Sequence, residues 1–311
     1  MAPTIFCVGN LAKQTASIRG SLQTFLSGSA AFTALAARIV GGNVYLLSSI
    51  GKDFPQNWIS MLEAKGIKLK LKKLKNEDSI SFESKFPRGL ELEVLTGKNL
   101  KIHVRNLIPL LREALSKTRP TAVYISPNEF KIQRELIRMA KRVPSRPVVA
   151  LGIHEFNLKK MREPGDVLTS LSDVDLFFLN EREALLVTKA LSFHEAVKEL
   201  KRRLSSGEDC VCIITMGKRG LSLIYKGGMM RIPVFPVAKE VDPTGAGDSL
   251  AGAFLTKYLE SKSLLESAIY GRLIGGLTVT GIGSTPLFNL TKFKIETLIR
   301  GREGVSKPHF E

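Results

Sequence analysis

Apolar positions along the chain repeat with two different periods. The runs "TIFCVGN" (Thr4–Asn10) and "NVYLLSSIG" (Asn43–Gly51) are short, continuous and close on glycine, which predicts buried strands feeding turns. Ser29–Val40, alanine-rich with helical spacing after the Ser27-Gly28 break, and "FPQNWISMLEAKG", which stops at Gly66, predict helices. Ile67–Lys75, "IKLKLKKLK", alternates apolar residues with lysine at period two and predicts a strand with one wet face. "SISFESKF" and "LELEVL" continue that alternation around a turn at Pro87-Arg88-Gly89, so residues 67–98 predict a small antiparallel sheet exposed on one side. Beyond residue 105 the pattern changes. Helical "LIPLLREALSK" and "FKIQRELIRMAKRV" alternate with the apolar runs "AVYIS", "PVVALG", "DVDLFFLN" and "CVCIITMG". Strands alternating with helices imply βαβ units and a mostly parallel sheet covered on both faces, with the small sheet inserted into that body as a lid.

Composition narrows the reading. With 311 residues, 44% hydrophobic and 24% charged, the chain can bury a core, and disorder is excluded for most of its length. A net charge of +17 favours anionic ligands such as nucleotides and phosphorylated metabolites. The lysines are scattered along the chain, which fits a solubilising surface better than a nucleic-acid site. Cys7, Cys210 and Cys212 form neither a disulfide framework nor a metal-ligand pattern, and they read as buried thiols of a reducing cytoplasm. The first residues show no basic segment or cleavage-like site, and the uncharged stretches Gly20–Ala37 and Leu273–Thr291 carry too many Gly, Ser, Thr or Pro residues for membrane helices. A cytoplasmic protein with no membrane partner is expected.

The chemistry concentrates in "VDPTGAGDSLAGAFL" (Val241–Leu255). Leu250, Phe254 and Tyr258 recur at helical spacing, so Gly245-Ala246-Gly247-Asp248 falls at a helix start, where unpaired N–H groups carry partial positive charge. The glycines allow close backbone approach to an anion. A carboxylate beside an anion site repels the anion, so Asp248 makes sense as a base that takes a proton from an attacking hydroxyl. Donors for a moving phosphate together with a base at the nucleophile are the requirements of phosphoryl transfer. The plainer reading is a glycine turn with an acidic cap. No G-x-x-x-x-G-K-[ST], early G-x-G-x-x-G, H-E-x-x-H or G-x-S-x-G is present, so this motif must supply the site itself.

"DPTGAGDSLAGAF" (Asp242–Phe254) resembles the C-terminal signature of the ribokinase-like, or PfkB, family of carbohydrate and nucleoside kinases. "SGSAAFTALAARI", "SSIGKDF", "LNEREA" and "IITMGKRGLSLI" resemble further family segments, in the family's order. The resemblance implies a ribokinase-like three-layer α/β sandwich over residues 1–311, with a mostly parallel central sheet and a small antiparallel β lid from roughly 11–22 and 67–98. It implies Asp248 as base and Gly245, Ala246 and Gly247 as an anion hole. Asn180 and Glu183 would help hold Mg²⁺ near the phosphates of ATP, and Thr215, Gly217 and Gly220 would line the nucleotide pocket with Asn180. Read without the resemblance, Asn180 is a strand-end turn residue and Glu183 a first-turn acid. Asp242, with Gly281–Thr285, resembles a region that binds a monovalent cation such as K⁺.

Departures fall on the substrate side. Where members commonly place an Asp that grips substrate hydroxyls, this chain has Gln14; Ser27 precedes Gly28 where paired glycines are usual, and Phe32 replaces a frequent Asn. Gln14, Gly28 and Phe32 are the expected substrate contacts, with Phe32 as an apolar or ring-stacking surface. The expectation is a kinase moving the γ-phosphoryl group of ATP to a hydroxyl of a sugar, nucleoside or cyclitol. The alternative is a catalytically reduced relative that binds a nucleotide or phosphometabolite for regulation. An exposed apolar lid face would suit a homodimer.

Overall fold

The computed structural model describes residues 1–18, 21–85, 93–94, 100–205, 209–301 and 309–310. The N-terminal half runs β1 (Thr4–Val8), β2 (Ala12–Ile18), β3 (Ser21–Ser27), α1 (Ser29–Ile39), β4 (Asn43–Gly51), α2 (Gln56–Ala64), β5 (Lys68–Leu74), β6 (Ile80–Lys85) and β7 (Glu93–Val94). Regular βα alternation follows through α3 (Leu100–Arg105), α4 (Leu107–Lys117), β8 (Ala122–Ile125), α5 (Phe130–Lys141), β9 (Val148–Gly152), α6 (Glu155–Leu158), β10 (Leu176–Asn180), α7 (Glu181–Thr188), α8 (Phe193–Ser205) and β11 (Val211–Thr215). The chain closes with β12 (Leu221–Tyr225), β13 (Gly228–Ile232), α9 (Ala246–Ser261), α10 (Leu264–Thr278), α11 (Thr285–Phe288), α12 (Lys292–Arg300) and β14 (His309–Phe310).

Ten strands form the main sheet in the order β14-β13-β12-β11-β10-β9-β8-β1-β4-β5. From β11 to β5 every pairing is parallel, while β12, β13 and β14 add an antiparallel edge. Alternate strand residues feed two separate cores, because successive side chains on a strand point to opposite faces. Ile5, Cys7, Tyr124 and Ile213 pack with α1, α9 and α10 on one side. Phe6, Val8, Ile125 and Cys212 pack with α4, α5, α7 and α8 on the other. The result is a three-layer α/β sandwich, as the alternation of strands and helices predicts.

The second sheet, in the order β3-β2-β6-β7, is where the sequence reading needs correcting. Ile67–Lys75 does not belong to it: β5 pairs in parallel with β4, from Tyr45↔Lys68 to Gly51↔Leu74, as the edge of the main sheet. The alternation did identify a half-wet strand, with Leu69 and Leu71 packed on the core and the lysines outward, but a period of two does not say which sheet a strand joins. In the small sheet, β2–β3 and β6–β7 are antiparallel and β2–β6 is parallel. Strand β3, within the uncharged stretch Gly20–Ala37, extends this sheet beyond residue 22. The turn at Pro87–Gly89 and most of "LELEVL" lie outside the described residues. No described helix is long and apolar enough to cross a membrane.

Helices α1 and α9 cross at Gly252, where a Cβ would stand 2.2 Å from Thr33 O. This contact holds the glycine motif against α1. Gly252→Ala is expected to lower stability by about 1–3 kcal/mol through overpacking. Thermal unfolding checks it, and an unchanged midpoint would contradict the close crossing.

Candidate active site

In an open α/β sheet, ligands bind beyond the carboxyl ends of the strands. Here β8, β10 and β11 end at Ile125, Asn180 and Thr215, and α9 packs across β9 and β10 with its N-terminus at Ala246. Gly245 caps α9 with φ 77°, a left-handed conformation, and a Cβ there would come within 2.4 Å of the Phe32 ring. Only glycine meets both conditions without displacing the ring. The first helical bond runs from Ser249 N–H to Gly245 O at 2.8 Å, and Ala246 N–H closes the preceding turn on Pro243 O at 3.3 Å. The amides of Gly245, Gly247 and Asp248 precede the first helical donor, Ser249 N–H, and so have no partner within the helix. Gly247 is exposed, with no atom within 4 Å of the position a Cβ would take. Beside these amides the hydroxyls of Thr244 and Ser249 are buried without a hydrogen-bond partner among the described residues. Amides and hydroxyls gathered at a helix N-terminus suit a phosphate group.

Asp248 is half-buried in the first turn of α9, and burial pushes its carboxyl up to about 7. Tyr124 Oη donates to Asp248 Oδ1 at 3.4 Å, which acts in the opposite direction, and Thr33 Oγ1 donates to Asp248 O at 3.2 Å. Sequence reasoning missed Tyr124. Its signal was a polar tip in an otherwise apolar strand, since a buried tyrosine hydroxyl normally finds a partner.

Asn180 and Glu183 form a capping box at the start of α7. Asn180 Oδ1 accepts from Glu183 N at 2.9 Å, while Glu183 Oε2 accepts from Asn180 N at 2.7 Å and its Oε1 from Glu155 N at 3.2 Å. The plainer reading, a strand-end turn residue and a first-turn acid, describes these backbone bonds, which leave each Glu183 oxygen a second lone pair for the Mg²⁺ role implied by the resemblance. Burial raises Glu183 to about 8 despite those backbone bonds, and the nearby charge of Asp248 adds to the shift. Asp242 is fully buried: Oδ1 accepts from Thr244 N at 2.9 Å, and Oδ2 from Gln14 Nε2 at 2.9 Å and Gly283 N at 3.1 Å. N–H donors thus hold both oxygens of the residue expected to face a cation. Among the described residues no group of three or more His, Cys, Asp or Glu side chains could hold a metal. These donors do not fit a protein-borne Mg²⁺ cage, and Mg²⁺ commonly relies on substrate phosphates for its ligands.

The expected substrate contacts are also redistributed. Phe32 is 1% exposed, so its ring is a wall under Gly245 and offers no free face for stacking. Gln14 is wholly buried on Asp242. Gly28 caps α1 at φ 101°, where a Cβ would meet Asn10 O at 2.4 Å. Asn10, half-buried beyond β1, donates to Asn128 Oδ1 beyond β8 at 2.9 Å, and this carboxamide pair was not singled out from the sequence. Thr215 ends β11 half-exposed, and Gly217 (φ 55°) has open space around it. Gly220 (φ 87°) sits where a Cβ would meet Ile232 O at 2.1 Å, so it serves the approach of β13.

The sandwich with its small second sheet is the ribokinase-like kinase fold, and the glycine turn with its recessed acid falls at the strand ends where such a fold binds ligands. The family model for pfkB family carbohydrate kinases matches residues 156–290. A cytidine kinase of Thermococcus kodakarensis is 31% identical over 259 residues, covering 81% of this chain and 87% of the relative. A nucleoside kinase of Methanocaldococcus jannaschii is 25% identical over 292 residues, covering 90% and 87%. An Escherichia coli chain solved in complex with ATP and Mg²⁺ has the same fold, with a TM-score of 0.78 at 20% identity over 97% of this chain and 100% of that one. The chain belongs to the pfkB family of carbohydrate kinases, and it is an ATP-dependent kinase of the carbohydrate or nucleoside class.

Both buried acids titrate higher in the fold than in the unfolded chain, so the folded protein binds extra protons. The stability they carry is complete below about pH 4, the unfolded carboxyl range, and is lost as pH rises through 7 and 8. Asp248→Asn is therefore expected to gain on the wild type in thermal midpoint between pH 5 and pH 8. Parallel pH curves for the two proteins would contradict the desolvation of Asp248.

Proposed function

We propose that the protein transfers the γ-phosphoryl group of ATP to a nucleoside hydroxyl, with Asp248 as the base and the amides of Gly245, Gly247 and Asp248 as the anion hole. The observation that carries this reading is a recessed carboxyl, titrating near neutrality, in the same helical turn as amides without helical partners. A general base is most effective when its pKa lies near the working pH. The amides are already oriented before charge develops on the transferring group, so they stabilise it without reorganisation. ATP would bring Mg²⁺ on its own phosphates. The metal supplies charge neutralisation, while Asp248 holds the acceptor's proton and Phe32 keeps the turn in place.

Among the relatives that match most of both chains, the cytidine kinase at 31% identity stands above a fructokinase at 25%, which supports a nucleoside over a hexose. The Asn10–Asn128 carboxamides suit a ligand with both donors and acceptors. We take residues 1–311 as one ribokinase-like domain in which β2, β3 and β6 cover the acceptor and exclude water.

ADP release with ATP, Mg²⁺ and a panel of nucleosides, myo-inositol, ribose and fructose tests the proposal. We expect nucleosides to give the highest kcat/KM. We also expect activity to rise with pH through about 7 and to fall roughly 10²- to 10⁴-fold in Asp248→Asn. Nucleotide binding with no turnover above the Asp248→Asn background would favour the regulatory reading. Higher kcat/KM on a sugar or inositol would reject the acceptor class alone.

A further inference from the structure

Gln14 and Asp242 are 228 residues apart in sequence, and both are 0% exposed. A carboxylate offers no donor, so the Gln14 carboxamide must present Nε2 to Asp242 Oδ2, across 2.9 Å. The other partners of Asp242 are backbone amides at two places. Thr244 N belongs to the turn that ends in Gly245, and Gly283 N belongs to the loop before α11. That loop is in turn held by the small sheet: Ser284 donates to Leu26 O on β3 through both its N–H (3.0 Å) and its Oγ (2.8 Å). Gly283 itself, at φ 56°, fits so closely that a Cβ would stand 2.9 Å from Leu26 O. Strand β3 pairs with β2 through Gln14↔Phe25 and Lys13↔Leu26, which closes the circuit.

The small sheet therefore grips the glycine turn at its first residue. Asp242 is a charged acceptor in a buried place, where charge-assisted bonds are strong and an unmade one is expensive. Lose the Gln14 amide and Asp242 must turn, taking with it the Thr244 amide that shapes the turn two residues before the cap of α9. We propose that Gln14 is a positioning residue, a latch through which the small sheet holds Asp242 and so sets the geometry of the Gly245–Asp248 turn for phosphoryl transfer. It replaces the substrate-contact role expected for this position. The proposal rests on the kinase reading of the turn but not on which hydroxyl accepts the phosphoryl group.

The test uses two variants of the full chain. Gln14→Met removes the donor at similar size. Gln14→Glu places a second acid against Asp242, the charged group facing it; the neighbouring Lys13 on β2 is turned away to an ion pair with Asp53. Protonation of the new glutamate restores an O–H donor to Asp242. With the best acceptor found, both variants are expected to lose kcat on the order of 100-fold while the acceptor KM stays about the same. The ratio of Gln14→Glu to wild-type kcat should climb as pH falls across a range in which circular dichroism shows both proteins fully folded, which a loss of folded protein would not produce and which cancels the titration of Asp248 itself.

Amide hydrogen exchange provides a readout that needs neither ATP nor acceptor, so it stands if the proposed acceptor class is wrong. Peptides spanning 242–248 and 281–285 should exchange faster in both variants, with the helices of the opposite core unchanged. A raised acceptor KM at unchanged kcat would make Gln14 a substrate contact and overturn the latch. Unchanged exchange in those peptides would overturn it too, as would global unfolding of both variants, which would make the bond a general element of stability.

Discussion

One backbone conformation organises this molecule's chemistry: the left-handed Gly245, seated under the Phe32 ring. A helix begun by an ordinary residue would carry a Cβ into that ring, and α9 would have to start elsewhere or tilt. With glycine, α9 starts where Asp248 reaches Tyr124 of β8 and the amides before Ser249 have no helical acceptor. Phe32, Thr33 and Gly252 then fix the helix against α1 from behind. The amides without helical acceptors and the acid are thus parts of one turn held against α1, and their mutual distance does not depend on a separate loop.

Electrostatics follow from that placement. A carboxylate in water would stay ionised well below neutrality, but Asp248 is recessed against the sheet and its Tyr124 contact is long. Its proton affinity rises to the range where it can take a proton from a hydroxyl near neutral pH. Glu183 shows the same desolvation, yet both its oxygens are committed to backbone amides. Of the two raised acids, Glu183 shapes the end of β10 through those bonds, and Asp248 is the one proposed as the base.

The sandwich was legible from the sequence because buried parallel strands and amphipathic helices differ in period, and the βα alternation from residue 105 onward does not depend on tertiary detail. The helix start at the glycine motif was legible for a local reason: two glycines and an acid stand directly before an amphipathic run. The small sheet was harder to read. Strand β3 exposes most of its length and carries no charge, so its residues resembled a loop, and β5 revealed its wet face without revealing its neighbour. Side-chain roles were hardest to read where a residue type suits two jobs. Asn180 and Glu183 obey the spacing of a capping box as well as that of a metal motif, and the capping bonds they form leave the second use open. Phe32 and Gln14 were expected to meet a substrate because of what they replace, whereas burial turns one under Gly245 and the other onto Asp242.

The most direct measurement of the central claim is a crystal structure with ADP, Mg²⁺, aluminium fluoride and an acceptor nucleoside. The account predicts the fluoride mimic of the moving phosphoryl group within hydrogen-bond distance of the Gly245 and Gly247 amides, and the acceptor hydroxyl on Asp248. A mimic bound elsewhere, with those amides turned to protein carbonyls and Asp248 facing away from the nucleoside, would contradict it.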